Sequence, residues 1–254
     1  VVLVVPEPIT CAVACDVLGR GIPLLLEKPP GRTLAELDRI RAAAGTIPHQ
    51  VALNRRYSPL VRETRRRLDA HGGPDALQHI QYEMTRVDRR DPDFSATAIH
   101  GIDAVRFLSG SDYDQVRFRY RELPELGPGV ANIFLDALMT SGATAQLSFC
   151  PVAGVVVERA TLHLQDESFY LRIPMWSAYD SPGRLEHVQK GRLAAEVLGD
   201  PEAPSFVLGG FDAETEAFFD ALAAGRAPSP SLAEARQSVA VAEKIQQRER
   251  EFSA

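Results

Sequence analysis

Ile22-Pro23-Leu24-Leu25-Leu26-Glu27-Lys28-Pro29-Pro30 is the stretch on which the fold turns. A short apolar run ends in two charges and two prolines. Thr33-Leu34-Ala35-Glu36 follows, with the spacing of a helix-opening capping box. A run that is apolar on both phases predicts a strand buried on both faces, as in a parallel sheet. Upstream, Val1-Val2-Leu3-Val4-Val5 has the same character and is closed by Pro6-Glu7-Pro8. Between the two runs Ile9, Val13 and Val17 recur every fourth residue, predicting a helix over 9–18 that Gly19 and Gly21 end. Downstream, Leu34, Leu37 and Ile40 share one side of a helix that Gly45 ends, and Gln50–Leu53 is a third short strand. The order β-α-β-α-β with short connections calls for right-handed crossovers. Residues 1–54 therefore read as an α/β unit, an incomplete half of a doubly wound parallel domain.

The pattern changes after Asn54. A basic helix is expected over 59–70 and a second helix over 97–108. Strand-like runs occupy 76–87, 115–121, 131–139, 144–150, 155–164 and 169–173, separated by turns such as Gly127-Pro128-Gly129. Successive strands with few helices between them predict an α+β domain over 55–254, built on a large, mostly antiparallel open sheet. Two amphipathic helices, 212–224 and 231–248, close the chain, the second opened by Ser231 and Glu234.

Composition narrows the function. The chain has 254 residues and a net charge of -6, which argues against nucleic acid or an anionic membrane as partner. Arg117, Arg119 and Arg121 alternate on one face of a strand and read as a solvated face rather than a phosphate stripe. Cys11, Cys15 and Cys150 are an odd count without Cys-x-x-Cys or pairing with histidine, so no metal site is expected. They imply small hydrophobes in a reducing, cytoplasmic compartment. No signal peptide or membrane anchor is expected. An apolar strand at Val1 without a polar lead-in leads to the expectation of further chain upstream.

Two groups could carry chemistry. Lys28 follows the second strand, and the carboxyl ends of strands face the ligand crevice in open α/β sheets. It is one of only three lysines among 28 basic residues. A lysine kept in so arginine-rich a chain suits a compact ammonium with a tunable pKa, against the plainer reading of a surface-loop lysine. The second group is His100 with Asp103, three apart on a helix and so on one side of it. A histidine there suits a general base. A histidine held by its carboxylate neighbour for structure alone is the other reading, and the residues leave both open. Gly19-Arg20-Gly21 follows a helix and lacks a third glycine, and Gly127-Pro128-Gly129 lies in the sheet region, so neither makes a pyrophosphate-binding turn.

Taken in order, Glu27-Lys28-Pro29, the helix over 33–44, Asn54-Arg55-Arg56-Tyr57, His100-x-x-Asp103 and the closing helices resemble the Gfo/Idh/MocA oxidoreductases. The resemblance implies a Rossmann domain binding NAD or NADP and a second domain whose open sheet makes homo-oligomer contacts. It also implies hydride transfer to or from a sugar, inositol or related polyol. It assigns Lys28 and His100 to catalysis, and Pro6, Glu27, Lys28, Pro29 and Arg56 to the cofactor. Asp103 it assigns to substrate. Relative to that pattern Thr10 stands where a histidine is common, and Ala96 where many members carry an aspartate. Asp91 and Asp93 are the carboxylates near enough in sequence to replace it. Two further readings belong to other classes: a truncated or degenerate paralogue serving as a binding and oligomerisation module, and cofactor-independent proton transfer by His100.

Overall fold

The computed structural model describes residues 1–176 and 178–254. The chain opens with β1 (Val2–Leu3), α1 (Glu7–Gly19), β2 (Leu24–Glu27), α2 (Leu34–Ala44) and β3 (His49–Ala52). The strands form a parallel sheet in the order β1-β2-β3, with Val2 opposite Leu25 and Leu25 opposite Gln50. Leu24, Leu25 and Leu26 are all buried, as a strand covered on both faces requires. β1 is shorter than the predicted 1–5. It borders β2 alone, and Val2 and Val4 are 50% and 72% exposed. Thr33 accepts from the Glu36 amide at 3.2 Å, while the Glu36 carboxylate takes the Arg32 amide rather than that of Thr33. The expected cap therefore forms with its second half displaced by one residue.

A 3₁₀ turn over Asn54–Tyr57 leads into α3 (Pro59–Ala70), β4 (Leu77–Thr85) and α4 (Ser95–Ser109). Then come β5 (Tyr113–Glu122), β6 (Ala131–Met139), β7 (Thr144–Cys150), β8 (Val157–Leu164) and β9 (Glu167–Arg172). The chain continues with β10 (Arg184–Gln189), β11 (Arg192–Leu198), α5 (Ser205–Leu208), α6 (Phe211–Ala223), α7 (Leu232–Gln246) and β12 (Glu251–Ser253). Among the described residues nine strands make one sheet, ordered β11-β10-β9-β8-β4-β7-β6-β5-β12 and antiparallel except for the β4–β7 pair. β10 and β11 were not anticipated. Their hairpin turns at Lys190-Gly191, where both residues have positive φ (49° and 76°). That is the two-residue turn that suits strand twist, without the Asn-Gly or Asp-Gly that signals it in a sequence.

Inward positions of the large sheet, such as Tyr82, Leu147, Phe149, Leu162 and Phe169, are buried under α3, α4 and α7. The other face turns Leu138 and Tyr170 outward with Arg117 and Arg119, as the alternating arginines predicted. α7, opened by the expected Ser231–Glu234 capping box, packs on both α4 and α2 and ties the two sheets into a single core. On the far face of the small sheet, Leu25 and Ala52 meet Phe218 of α6. No helix among the described residues is long and apolar enough to cross a membrane.

Candidate active site

The carboxyl ends of β2 and β3 and the start of α4 meet at a cleft of about 480 Å³ lined by Lys28 and His100. Each arrives for a local reason. β2 ends at Glu27, whose carboxylate accepts from the Lys28 amide at 2.8 Å. Lys28 then crosses to α4, and its Nζ donates to the Ala96 carbonyl at 2.9 Å. At the position where an aspartate was the familiar residue, the backbone oxygen of Ala96 therefore serves as acceptor. His100 lies one turn further along α4. That helix can rest on the sheet because residue 101 is glycine: a Cβ there would come within 2.7 Å of the Tyr82 and Phe149 rings.

Burial governs both groups. Lys28 is pulled below the usual lysine range by burial, partly offset by the Glu27 carboxylate. His100 is 9% exposed and pushed well below 6.5, first by burial and then by the charges of Arg55, Lys28 and Arg86. Its imidazole is therefore neutral at pH 7. His100 Nδ1 is buried without a hydrogen-bond partner among the described residues. An unsatisfied buried polar atom costs about 1–3 kcal/mol, so the imidazole keeps bonding capacity that no protein group uses.

Beneath the pair lies a network that sequence reasoning missed. Glu158 of β8 is 0% exposed and accepts from Arg55 Nε at 3.1 Å, Arg55 Nη2 at 2.7 Å and the Tyr82 hydroxyl at 2.7 Å. Arg86 Nη2 makes a fourth bond. Burial alone would raise this carboxyl, but Arg55 and Arg86 outweigh it and hold it at about 2. Both arginines line the cleft, fixed in place by one carboxylate. The signal was present in the chain: Glu158 falls on the buried phase of β8, shared with Ala160 and Leu162. Trp176, the single tryptophan, and Phe211 wall the opposite side with ring centroids 5.6 Å apart.

Other expected residues lie elsewhere. Arg56 and Asp103 pair with each other through two 2.7 Å bonds, and Ser238 donates to Asp103 at 2.9 Å. Asp103 is 1% exposed and its carboxylate bonds Arg56 and Ser238 rather than His100. At the cleft Arg55 takes the place expected of Arg56, because the 3₁₀ turn points the adjacent guanidinium groups apart. Arg56 instead borders a larger hollow of about 910 Å³ with Arg65 and Arg106, which contains neither Lys28 nor His100. Lys28 and His100 line the smaller of the two cavities. Glu27 lines the cleft, Pro29 lies in a crevice beside it and Pro6 caps α1. Asp91 pairs with Arg89, and Asp93 accepts the Ser95 amide at 2.8 Å, so neither carboxylate supports His100. Thr10 donates to the Pro6 carbonyl.

Among solved structures, a Gfo/Idh/MocA family oxidoreductase from Vibrio cholerae superposes with a TM-score of 0.77 at 20% identity, covering 97% of this chain and 76% of that one. The chain has the fold of the Gfo/Idh/MocA oxidoreductases. A dehydrogenase from Chromobacterium violaceum is similar too, with a TM-score of 0.82 at 18% identity, covering 98% of this chain and 75% of that one. So is a levoglucosan dehydrogenase in complex with NADH and levoglucosan, with a TM-score of 0.82 at 17% identity, covering 100% of this chain and 79% of that one. No protein-family model and no curated protein matches the sequence.

Proposed function

We propose that this chain belongs to a Gfo/Idh/MocA-type oxidoreductase that transfers hydride between NAD or NADP and a secondary alcohol of a sugar, inositol or related polyol. The observation that carries the reading is the meeting of Lys28 and a neutral, partnerless His100 in one cleft at the strand ends. The complexes of similar proteins with NADH, sorbose and levoglucosan support it. Residues 1–54 would serve the cofactor, and residues 55–254 the substrate and a homo-oligomer contact through the exposed sheet face.

The residues present fit the reacting end of a nicotinamide cofactor, because His100 has an unused nitrogen there and Lys28 an ammonium. Lys28, Glu27 and Arg55 would hold that end. When bound, the nicotinamide supplies the acceptor or donor of hydride. The pyrophosphate end is not matched among the described residues, where β1 runs to α1 through Val4, Val5 and Pro6 without a glycine turn. In the oxidation direction His100 takes the hydroxyl proton. Lys28 stabilises the negative charge that grows on the oxygen as that proton leaves. Arg55 and Arg86, held by Glu158, add a fixed positive field. Trp176 and Phe211 offer an apolar wall to the C–H face of a sugar ring.

Trp176 also supplies the assay. Titration with NADH and NADPH should quench its emission saturably, and Lys28→Ala should abolish turnover of a polyol and weaken the cofactor binding that the quenching reads. Lack of saturable quenching would favour the binding-module reading, which the absent glycine turn supports. Full activity in Lys28→Ala would remove the lysine from the mechanism.

A further inference from the structure

His71, Glu167 and His187 are remote in sequence, yet the fold brings one ligand atom from each to within 4.8 Å of the others. We propose that they form a binding site for a divalent transition-metal ion of the zinc type, separate from the cleft. His71 caps the carboxyl end of α3, Glu167 opens β9 and His187 sits in β10. Glu167 Oε2 lies 2.8 Å from His187 Nε2 and 3.4 Å from His71 Nε2.

The contacts around the trio suit a cation. His71 Nδ1 is 2.7 Å from the Arg67 carbonyl, which can only accept, so the ring proton resides on Nδ1. In the tautomer with its single proton on Nδ1, His71 turns the lone pair of Nε2 towards a carboxylate oxygen. Two electron-rich atoms face each other, and a positive ion between them removes the conflict. The second contacts are those of a metal site. Arg67 fixes the tautomer of His71, and Gln189 Nε2 donates to the other Glu167 oxygen at 3.0 Å. His187 stacks on Phe169 with centroids 4.5 Å apart, which sets its ring plane.

Metal–ligand bonds of about 2.0–2.1 Å in a tetrahedron place ligand atoms a little over 3 Å apart. The 3.4 Å separation already matches, and the 2.8 Å one needs only a small opening. His71 keeps a third of its side chain exposed, leaving a coordination position open to water. Two imidazoles and one carboxylate select zinc or cobalt over calcium and magnesium, which prefer oxygen donors. The ion would pin the end of α3 to the β9–β10 hairpin. Glu158 and Leu164 stand at opposite ends of β8, about 20 Å apart at the rise of a strand. Leu164 pairs with Glu167, so the site is distant from the cleft network.

The test is titration calorimetry of chelator-treated protein with zinc chloride at pH 7.5, followed by cobalt substitution. One equivalent of zinc should bind and raise the melting temperature. Cobalt should give the visible absorption of a four- or five-coordinate site. His71→Ala changes an exposed helix-end residue, so the metal-free variant should melt as the wild type does while zinc affinity falls roughly 100-fold or more. Unchanged zinc affinity in His71→Ala would overturn the assignment. So would absence of stoichiometric binding by the wild type, or equal affinity for calcium.

Discussion

Glu158→Gln should destabilise the protein by about 3–5 kcal/mol at pH 7, the usual cost of breaking a buried ion pair from one side. Glutamine preserves the shape but leaves Arg55 and Arg86, 3% and 9% exposed, without a counter-charge. Proton linkage gives an independent magnitude. The carboxyl falls from an ordinary 4.5 to about 2 in the fold, worth about 3 kcal/mol. The sign follows from the depressed value: this stabilisation is complete above pH 4.5 and is lost as pH falls through 2. Urea unfolding followed by circular dichroism, at pH 7 and again at pH 3, reads both quantities. The gap between variant and wild type should be full at pH 7 and clearly smaller at pH 3. A gap below about 1 kcal/mol at pH 7, or one that does not shrink in acid, would refute the account of Glu158 as the clamp on both arginines.

Glu214 titrates the other way: burial, then the charge of Glu27, pushes it up to about 9. Its contribution is complete below pH 4.5 and lost as pH rises through 9, so Glu214→Gln should flatten the loss of stability between pH 5 and 9. An unchanged slope in denaturant midpoint against pH would contradict this. For catalysis, His100→Ala should lower kcat roughly 10²–10⁴-fold. Because His100 is held below 6.5, wild-type kcat/KM should persist in mild acid; an acid inflection at or above 6.5 would count against a buried neutral base. Gly101→Ala should cost about 1–3 kcal/mol by forcing a methyl against Tyr82 and Phe149, measurable as a lower urea midpoint. A neutral result there would mean that α4 does not rest on the sheet at this point.

Much of the architecture was legible because it rests on local patterns. The buried run at Leu24–Leu26, the cap at Thr33, the capping box at Ser231 and the alternation through β5 to β9 all appear where the sequence places them. β10 and β11 were hidden because their turn is Lys190-Gly191, and a lysine with positive φ carries no turn signature of its own. In the cleft, Lys28 and His100 could be named from strand-end and helix positions. Arg86 and Trp176 could not, since neither lies in a pattern with a period.

The sequence by itself determined most of the segments that become strands and helices, β10 and β11 excepted, and singled out Lys28 and His100 as candidates. Only the tertiary structure decided that Arg55 rather than Arg56 faces the cleft, that Asp103 is spent on Arg56, and that His71, Glu167 and His187 converge. The physical reason is range. Hydrophobic period and capping act within a turn or a strand and are written in neighbouring residues. The direction of a side chain leaving a 3₁₀ turn, and the meeting of a helix end with a distant hairpin, depend on how the whole sheet is ordered and covered.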